Sequence, residues 1–437
     1  MLISVIGTGY LGAVHAVCMA ELGYKVIGFD TDEHKIATFN KGEAPFFEPQ
    51  FGSLLGRHLA SKKVAFTTDA AQIADADVHF ICVGTPQAAD GFHANTEYID
   101  ASLENIIKYA KAGSFVVGKS TVPVGTARRL REELLQRRNG EIGLVWNPEF
   151  LREGFAVDDT LNPDRIVIGF EDEKDVARLK EVYRPIIDRG TPVLVTNLET
   201  AELVKVAANA FLATKISFIN AMAEICEKVG GDVVSLADAI GHDSRIGRKF
   251  LNAGIGFGGG CLPKDIRAFQ ARANELGLDE TLSFLKDIDA VNHRRRHRMV
   301  ALTQMFIGEE LKGKRICVLG AAFKPNSDDI RDSPALAIAK MLADKGAVIS
   351  IFDPRALENV KKHFPTFEIA ESAEAAAKDA EIVLHLTEWQ EFRDLDPAKI
   401  GDVMKSKIIV DGRNALDLDK WRAAGFVAMG MARAAHA

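Results

Sequence analysis

Residues 7–12, Gly-Thr-Gly-Tyr-Leu-Gly, constrain the fold of this chain more than any other stretch. They follow LISVI, a short apolar run of the kind that makes a parallel strand buried on both faces. They open YLGAVHAVCMAELG, which has helical spacing and stops at Gly23. A GxGxxG in that setting allows a tight strand-to-helix turn, close approach of backbone to a diphosphate, and close packing of helix on strand. The helix N-terminus then turns its N–H groups toward the anion. Asp30 ends the next apolar run, KVIGFD, about twenty residues on, where a carboxylate accepts from ribose hydroxyls and repels a 2′-phosphate. Gly7, Gly9, Tyr10, Leu11, Gly12 and Asp30 are therefore expected to bind NAD rather than NADP. Lys35 either reaches the adenosine ribose or is solvated.

Strand-like runs at 78–84, 114–121 and 165–170 alternate with helical patterns, which implies a parallel sheet with helices on both faces. From about Glu199 the texture changes. Residues 200–231 carry an apolar helical pattern without a proline, and helical sequence continues through 233–241, 266–277 and 279–306. The α/β texture then returns, with a strand and turn expected at 314–323, strands at 347–354, 381–387 and 407–413, and a helix at 333–346. The expected fold is α/β: two Rossmann-like, doubly wound parallel-sheet domains joined by a central helical domain. The boundaries fall at 1–197, 198–300 and 301–437.

A chain of 437 residues is too long for one ordinary core, in keeping with several domains. The net charge of −7 argues against a nucleic-acid or anionic-membrane role. The dense basic run HRRRHR, 293–298, lies in a helical pattern and reads as a solvated helix face. No stretch reaches the ~20 uninterrupted apolar residues of a membrane span. The N-terminus lacks the basic region of a signal peptide. Five cysteines without CxxC or Cys/His spacing argue against a disulfide framework or a metal site, and a cytoplasmic location is expected.

GFGGGCLPKD, residues 256–265, sets four glycines within five positions ahead of Cys261. A thiol attacks as thiolate, a form favoured by helix N-termini and nearby cations. Pro263 suits a helix start and KDIRAFQARANELG continues one, so Cys261 is expected just before a helix and near Lys264. The glycines are expected to leave its surroundings bare of side chains and to offer N–H groups to an anion. The plainer alternative is a small buried cysteine in a turn. Further up the chain, Lys205 and Asn209 are four residues apart on a helical face, with Glu202 a turn earlier. They interrupt an apolar pattern. Either they meet partners or a ligand, or the lysine stem carries its charge out to water.

Taken together, these residues resemble the nucleotide-sugar 6-dehydrogenases, the UDP-glucose branch most of all. The motifs are GTGYLG, CVGTP (82–86), KSTVPVGT (119–126), NPEFLREG (147–154), residues 200–221, GFGGGCLPKD and LGAAFKPNSDDIRDSP (319–334), with DGR (411–413) beyond them. The resemblance implies an NAD-binding domain, a dimerising central domain and a UDP-binding domain. It also implies a twofold oxidation of a sugar C6 alcohol to a carboxylate, with two NAD reduced. Such a reaction needs a cysteine. A free aldehyde has no hydroxyl to deprotonate, whereas attack by Cys261 gives a thiohemiacetal, then a thioester that water hydrolyses.

By the same resemblance Cys261 is the nucleophile, and Lys205 stabilises the oxyanion with help from Asn209. Asp265 orients or deprotonates water, Glu149 assists hydrolysis, and Thr121 holds the ordered water or the substrate oxygen. Val83, Thr85, Pro86, Ser120, Thr121, Glu153, Lys264 and Arg331 join the NAD contacts. Phe150, Leu151, Arg152 and Glu153, with Lys205 and Asn209, line the sugar-nucleotide site. So do Phe250, Asn252, Gly254, Phe257 and Gly258, and beyond them Phe323, Lys324 and Arg413. Arg245 resembles an arginine that reaches the neighbouring subunit's sugar. The outer charged residues have an ordinary surface ion pair as their alternative. The implied partners are a UDP-sugar and a second copy of the chain, with no nucleic acid, membrane or metal.

Two departures stand out. Position 260 is Gly where many relatives carry Ser, and LGAAFK is not a GxGxxG, so nucleotide binding by the second sheet does not follow from that fingerprint. The competing readings are a GDP-mannose or UDP-N-acetylmannosamine 6-dehydrogenase, a two-electron hydroxyacid dehydrogenase, and a non-catalytic sensor of NAD or nucleotide sugar. A hydroxyacid dehydrogenase has no use for Cys261 or for a second α/β domain.

Overall fold

The computed structural model describes residues 1–89 and 91–433. The chain divides into two compact units, Met1–Ala208 with Arg267–Leu278, and Asn209–Ile266 with Asp279–Ala437.

The first unit is built on eight strands: β1 (Leu2–Ile6), β2 (Lys25–Phe29), β3 (Val64–Thr67), β4 (Val78–Ile81), β5 (Phe115–Gly118), β6 (Gly143–Trp146), β7 (Ile166–Phe170) and β8 (Val193–Asn197). Their order is β3-β2-β1-β4-β5-β6-β7-β8. β4 and β5 are buried at every position, as strands covered on both faces must be. The order reverses between β1 and β4, and the crevice at the carboxyl ends of those two strands is where such sheets take their ligands. One pair departs from the parallel expectation: β6 and β7 meet antiparallel, at Trp146 and Gly169. The link between them, 147–165, holds only the short helix Ala156–Leu161, so β7 enters from the end at which β6 stops.

The second unit carries six parallel strands, β9 (Arg315–Leu319), β10 (Val348–Phe352), β11 (Glu368–Ile369), β12 (Ile382–His385), β13 (Ile408–Asp411) and β14 (Val427–Gly430). Their order, β11-β10-β9-β12-β13-β14, repeats that of the first six strands of the other sheet. Its reversal lies between β9 and β12. One apolar core joins Ile338 and Leu342 of the helix Pro334–Asp344, Met299 of the helix Phe284–Ile307, and the strand residues Val318 and Leu384.

The helix Leu198–Val229 has the length and composition to cross a membrane, but Ile219, Ala223 and Cys226 pack with Val233, Ala237 and Leu251 in a small core. The basic run on Phe284–Ile307 needs correction. His293, Arg294 and His297 face solvent, but Arg295 and Arg296 are buried. Arg295 reaches Glu227 at 3.0 Å and Arg296 reaches Asp332 at 3.1 Å. A buried guanidinium needs acceptors, and here both find them inside the unit.

Candidate functional site

In the first unit the GTGYLG turn joins β1 to the helix Tyr10–Glu21. A Cβ at Gly12 would lie 1.8 Å from Gly7 O, and one at Gly7 would press on Val83 at 2.6 Å. Those two glycines let the turn close against the strand beside it. Gly9 differs: a Cβ there meets nothing within 4 Å. Open space at the one glycine that no packing requires is what a bound diphosphate needs, and the residues fit NAD in this respect.

Asp30 closes β2 and accepts from Thr8 N at 2.8 Å and Lys35 Nζ at 2.9 Å through Oδ2. Its Oδ1 takes only the Asp32 amide, at 3.1 Å. Burial works against its charge, but the bonds from Lys35, Asp32 and Thr8 outweigh burial and hold the carboxyl below its usual range. Lys35 thus pairs with Asp30 and is not simply solvated. Tyr10 donates to Glu48, and Gly154 N donates to Glu48 Oε2 at 2.7 Å. This buried glutamate, unpredicted, ties the turn to the NPEFLREG loop; burial, then Glu48, pushes the Tyr10 hydroxyl pKa up.

Lys205 does not escape to water. Its Nζ lies 2.8 Å from Glu149 Oε1 and 5.8 Å from the Phe150 ring centre, with the side chain only 7% exposed. Glu149 Oε2 also accepts from Leu151 N at 2.5 Å. Phe150 carries Arg165 on its ring at 3.8 Å. Arg152 is taken up by Asp159 at 2.6 Å and stacks on Phe155, and Glu153 beside it is half-buried. The KSTVPVGT loop is fixed by Ser120 Oγ on Val83 O at 2.7 Å and Thr85 Oγ1 on Thr121 O at 2.7 Å. Pro86 O accepts from Asn95 N at 2.8 Å, and Leu11 is half-buried on the first helix. Lys119, also unpredicted, is buried and donates to Asn147 Oδ1 at 3.0 Å. Burial pushes its pKa down to about 8. Glu202 accepts from Gly125 N and Ala127 N, each at 2.7 Å, and burial raises its pKa to about 7.

In the second unit Cys261 immediately precedes the helix Leu262–Glu275, and its carbonyl accepts from Asp265 N at 2.9 Å. Of the five cysteines it alone is exposed; Cys18, Cys82, Cys226 and Cys317 are buried. The structural-cysteine alternative therefore fails on burial. Asp265, 2% exposed, accepts from Asn209 Nδ2 at 2.6 Å and pairs with Lys264 at 2.7 Å. The structure thus joins Lys205 to Glu149 in one unit and Asn209 to Asp265 in the other.

The expectation that the glycines leave bare surroundings is overturned. A Cβ at Gly258 would lie 2.2 Å from Asp332 O, one at Gly259 2.7 Å from the Phe323 ring, and one at Gly260 2.5 Å from the Arg331 guanidinium. The glycines admit a neighbouring loop, residues 323–332, against the backbone. A serine at position 260 would have to displace Arg331.

The remaining candidates also belong to the second unit. Arg413 donates to Gly256 O at 2.8 Å, Leu386 O at 2.8 Å and Phe323 O at 3.2 Å, so it braces the backbone. Gly254 N donates to Asn220 Oδ1 at 2.9 Å, and Asn252 accepts from Arg248. Phe250 holds the unusual φ of +66°, costly for a bulky side chain. Lys324 lies 5.3 Å from the Phe323 ring centre. Arg331 pairs with Asp329, and Arg245 pairs with Asp243 while its side chain stays 87% exposed.

The second sheet has a counterpart of Asp30. Asp353, after β10, accepts from Ala321 N at 2.7 Å, Ala322 N at 3.0 Å and Trp389 Nε1 at 3.1 Å. It is fully buried and also takes the Arg355 and Ala356 amides. No ribose can reach it, which gives the missing fingerprint a structural basis.

Family models cover almost the whole chain: the NAD binding domain of the UDP-glucose/GDP-mannose dehydrogenase family matches residues 1–187, its central domain 199–294 and its UDP binding domain 317–418. The chain belongs to the UDP-glucose/GDP-mannose dehydrogenase family. As a member it is an NAD-dependent oxidoreductase. A UDP-glucose 6-dehydrogenase of Rhizobium meliloti (strain 1021) is 42% identical over 98% of both chains. The structure of a UDP-glucose dehydrogenase from Pyrobaculum islandicum superimposes with a TM-score of 0.90 at 36% identity, covering 99% of this chain and 98% of that one. A UDP-D-ManNAc dehydrogenase from Pyrococcus horikoshii gives 0.86 at 26% identity, covering 99% of this chain and all of its own.

Proposed function

We propose that the chain oxidises the C6 alcohol of UDP-glucose twice, to UDP-glucuronate. The observation that carries this reading is the exposure of Cys261 alone among five cysteines, at a helix start. The higher identity to UDP-glucose dehydrogenases than to the UDP-D-ManNAc enzyme supports glucose as the sugar.

The GTGYLG turn and Asp30 would hold NAD, which supplies the hydride acceptor for each of the two oxidations. Cys261 Sγ, as thiolate, adds to the C6 aldehyde; the oxygen gains a proton and a thiohemiacetal results. Its oxidised form is a thioester. Water attacks that carbonyl, the carbon–sulfur bond breaks, and the thiolate returns with the carboxylate as product. Lys205, paired with Glu149, stabilises negative charge on the reacting oxygen. Asp265, held by Asn209 and Lys264, orients the water. Glu149 assists hydrolysis, and Thr121 holds the ordered water or substrate oxygen. Sugar-nucleotide contacts are proposed at Phe257, Lys324 and the backbone braced by Arg413.

A second copy of the chain completes the protein. Phe211, Phe218 and Ile225 stand at seven-residue intervals on one helix, 67%, 48% and 54% exposed, and this apolar stripe supports a homodimer. A cytoplasmic location fits five cysteines that form no disulfide among the described residues.

The test is NADH counted per UDP-glucose, with GDP-mannose and UDP-N-acetylmannosamine as alternative substrates. Two equivalents are expected from the unaltered protein and no acid from Cys261→Ala. Two equivalents from that variant would refute the thioester route.

A further inference from the structure

The segment ahead of Cys261 is held by side chains from the helix Phe284–Ile307, and one of them stands out. Asn292, 1% exposed, accepts from Phe257 N at 2.7 Å through Oδ1 and donates to Phe257 O at 3.0 Å through Nδ2. Its amide pairs with that one residue's backbone as a neighbouring strand would. A Cβ at Gly256, where φ is +93°, would lie 2.2 Å from Asn292 Oδ1, so only glycine lets the amide in. Three and four residues along the same helix face, Arg295 Nε donates to Gly254 O at 3.2 Å and Arg296 donates to Phe257 O at 3.4 Å. The same Arg296 holds Asp332, whose carbonyl fills the space over Gly258.

Between Phe257 and Cys261 stand three glycines, which have no side chains to fix the direction of the chain. What fixes it is the anchor at Phe257 and the bond from Gly259 N to Arg331 O at 2.9 Å. We infer that Asn292 is a positioning residue for the nucleophile: its two hydrogen bonds to Phe257 set where the glycine segment delivers Cys261. This rests on the reading of Cys261 as the attacking group. The half-buried basic run then has a purpose, since two of its arginines complete the same clamp.

The experiment labels Cys261 with iodoacetamide in the full chain, quantified on the peptide, alongside steady-state kinetics with UDP-glucose. Asn292→Ala removes both bonds. Asn292→Asp keeps the acceptor for Phe257 N but sets a second oxygen against Phe257 O. In both variants the labelling rate is expected to change by more than about threefold, because thiol reactivity follows its local setting. kcat is expected to fall about ten- to a hundredfold, with KM changing far less, as for a misplaced reacting group. A labelling rate and a kcat-to-KM split equal to those of the unaltered chain would overturn the inference. Should neither variant fold, hydrogen exchange on the unaltered chain decides: the Phe257 amide must be strongly protected, and rapid exchange there defeats the clamp. Two NADH per sugar from Cys261→Ala would instead sink the thioester reading, whatever the labelling shows.

Discussion

Gly9 separates two reasons for which a chain keeps a glycine. At Gly12 the reason is packing, because a methyl would collide with Gly7 O at 1.8 Å. At Gly9 nothing in the protein objects to one. Gly9→Ala should therefore leave stability within about 0.5 kcal/mol of the parent, the usual range for a change that meets no neighbour. It should weaken NAD binding about tenfold or more, because the methyl takes the surface a diphosphate would approach. Titration calorimetry beside a urea melt reads both quantities, and unchanged affinity would remove Gly9 from the cofactor site. At this scale the sequence spoke clearly where a residue acts through its neighbours in the chain: the turn glycines, Asp30, and Cys261 before its helix. Glu48, Asn292 and Asp353 were silent, because each takes up backbone that the fold brings from 31 or more residues away, and no spacing records such a bond.

Among the elements, the helix Thr126–Arg138 has an unusual start. Gly125 precedes it, and Glu202, from another helix, accepts the N–H groups of Gly125 and Ala127. A carboxylate suits a helix N-terminus, but burial dominates here and lifts the Glu202 pKa from 4.5 to about 7. The folded state thus binds this proton more tightly than the unfolded chain. Its contribution to stability is complete below about pH 4.5 and is lost as pH rises through 7, a change on the order of 3 kcal/mol. Glu202→Gln should remove that slope. Urea unfolding at pH 5 and pH 8 would reveal it: the parent loses stability relative to the variant, and parallel curves would contradict the assignment. Element by element, long periodic runs and fully buried strands were readable. β3, β6, β11 and β14 have two to four residues each, too few to carry a period, and β8 is half exposed, with Leu194 at 51%. The antiparallel entry of β7 depends on the path of the loop before it, which no local pattern encodes.

For the whole molecule, the proposed homodimer rests on the apolar stripe of Phe211, Phe218 and Ile225. A glutamate in the middle of such a stripe cannot be buried without a partner for its charge. Phe218→Glu should shift the mass measured by light scattering from a dimer toward the single chain of 47.6 kDa. A dimer that survives Phe211→Glu and Phe218→Glu together would place the interface elsewhere. The broad plan of two α/β sheets was legible because alternating strand and helix texture is a long-range property of composition. The equivalence of the two strand orders was not, since it emerges only when strands are laid side by side.

Trp389 and the amides around Asp353 carry one further consequence. They leave the second sheet with the frame of a dinucleotide fold but with the carboxylate that answers to Asp30 taken up by the protein itself. In the proposed reaction, then, Asp353 offers NAD no ribose acceptor with which to compete for the berth of the sugar nucleotide.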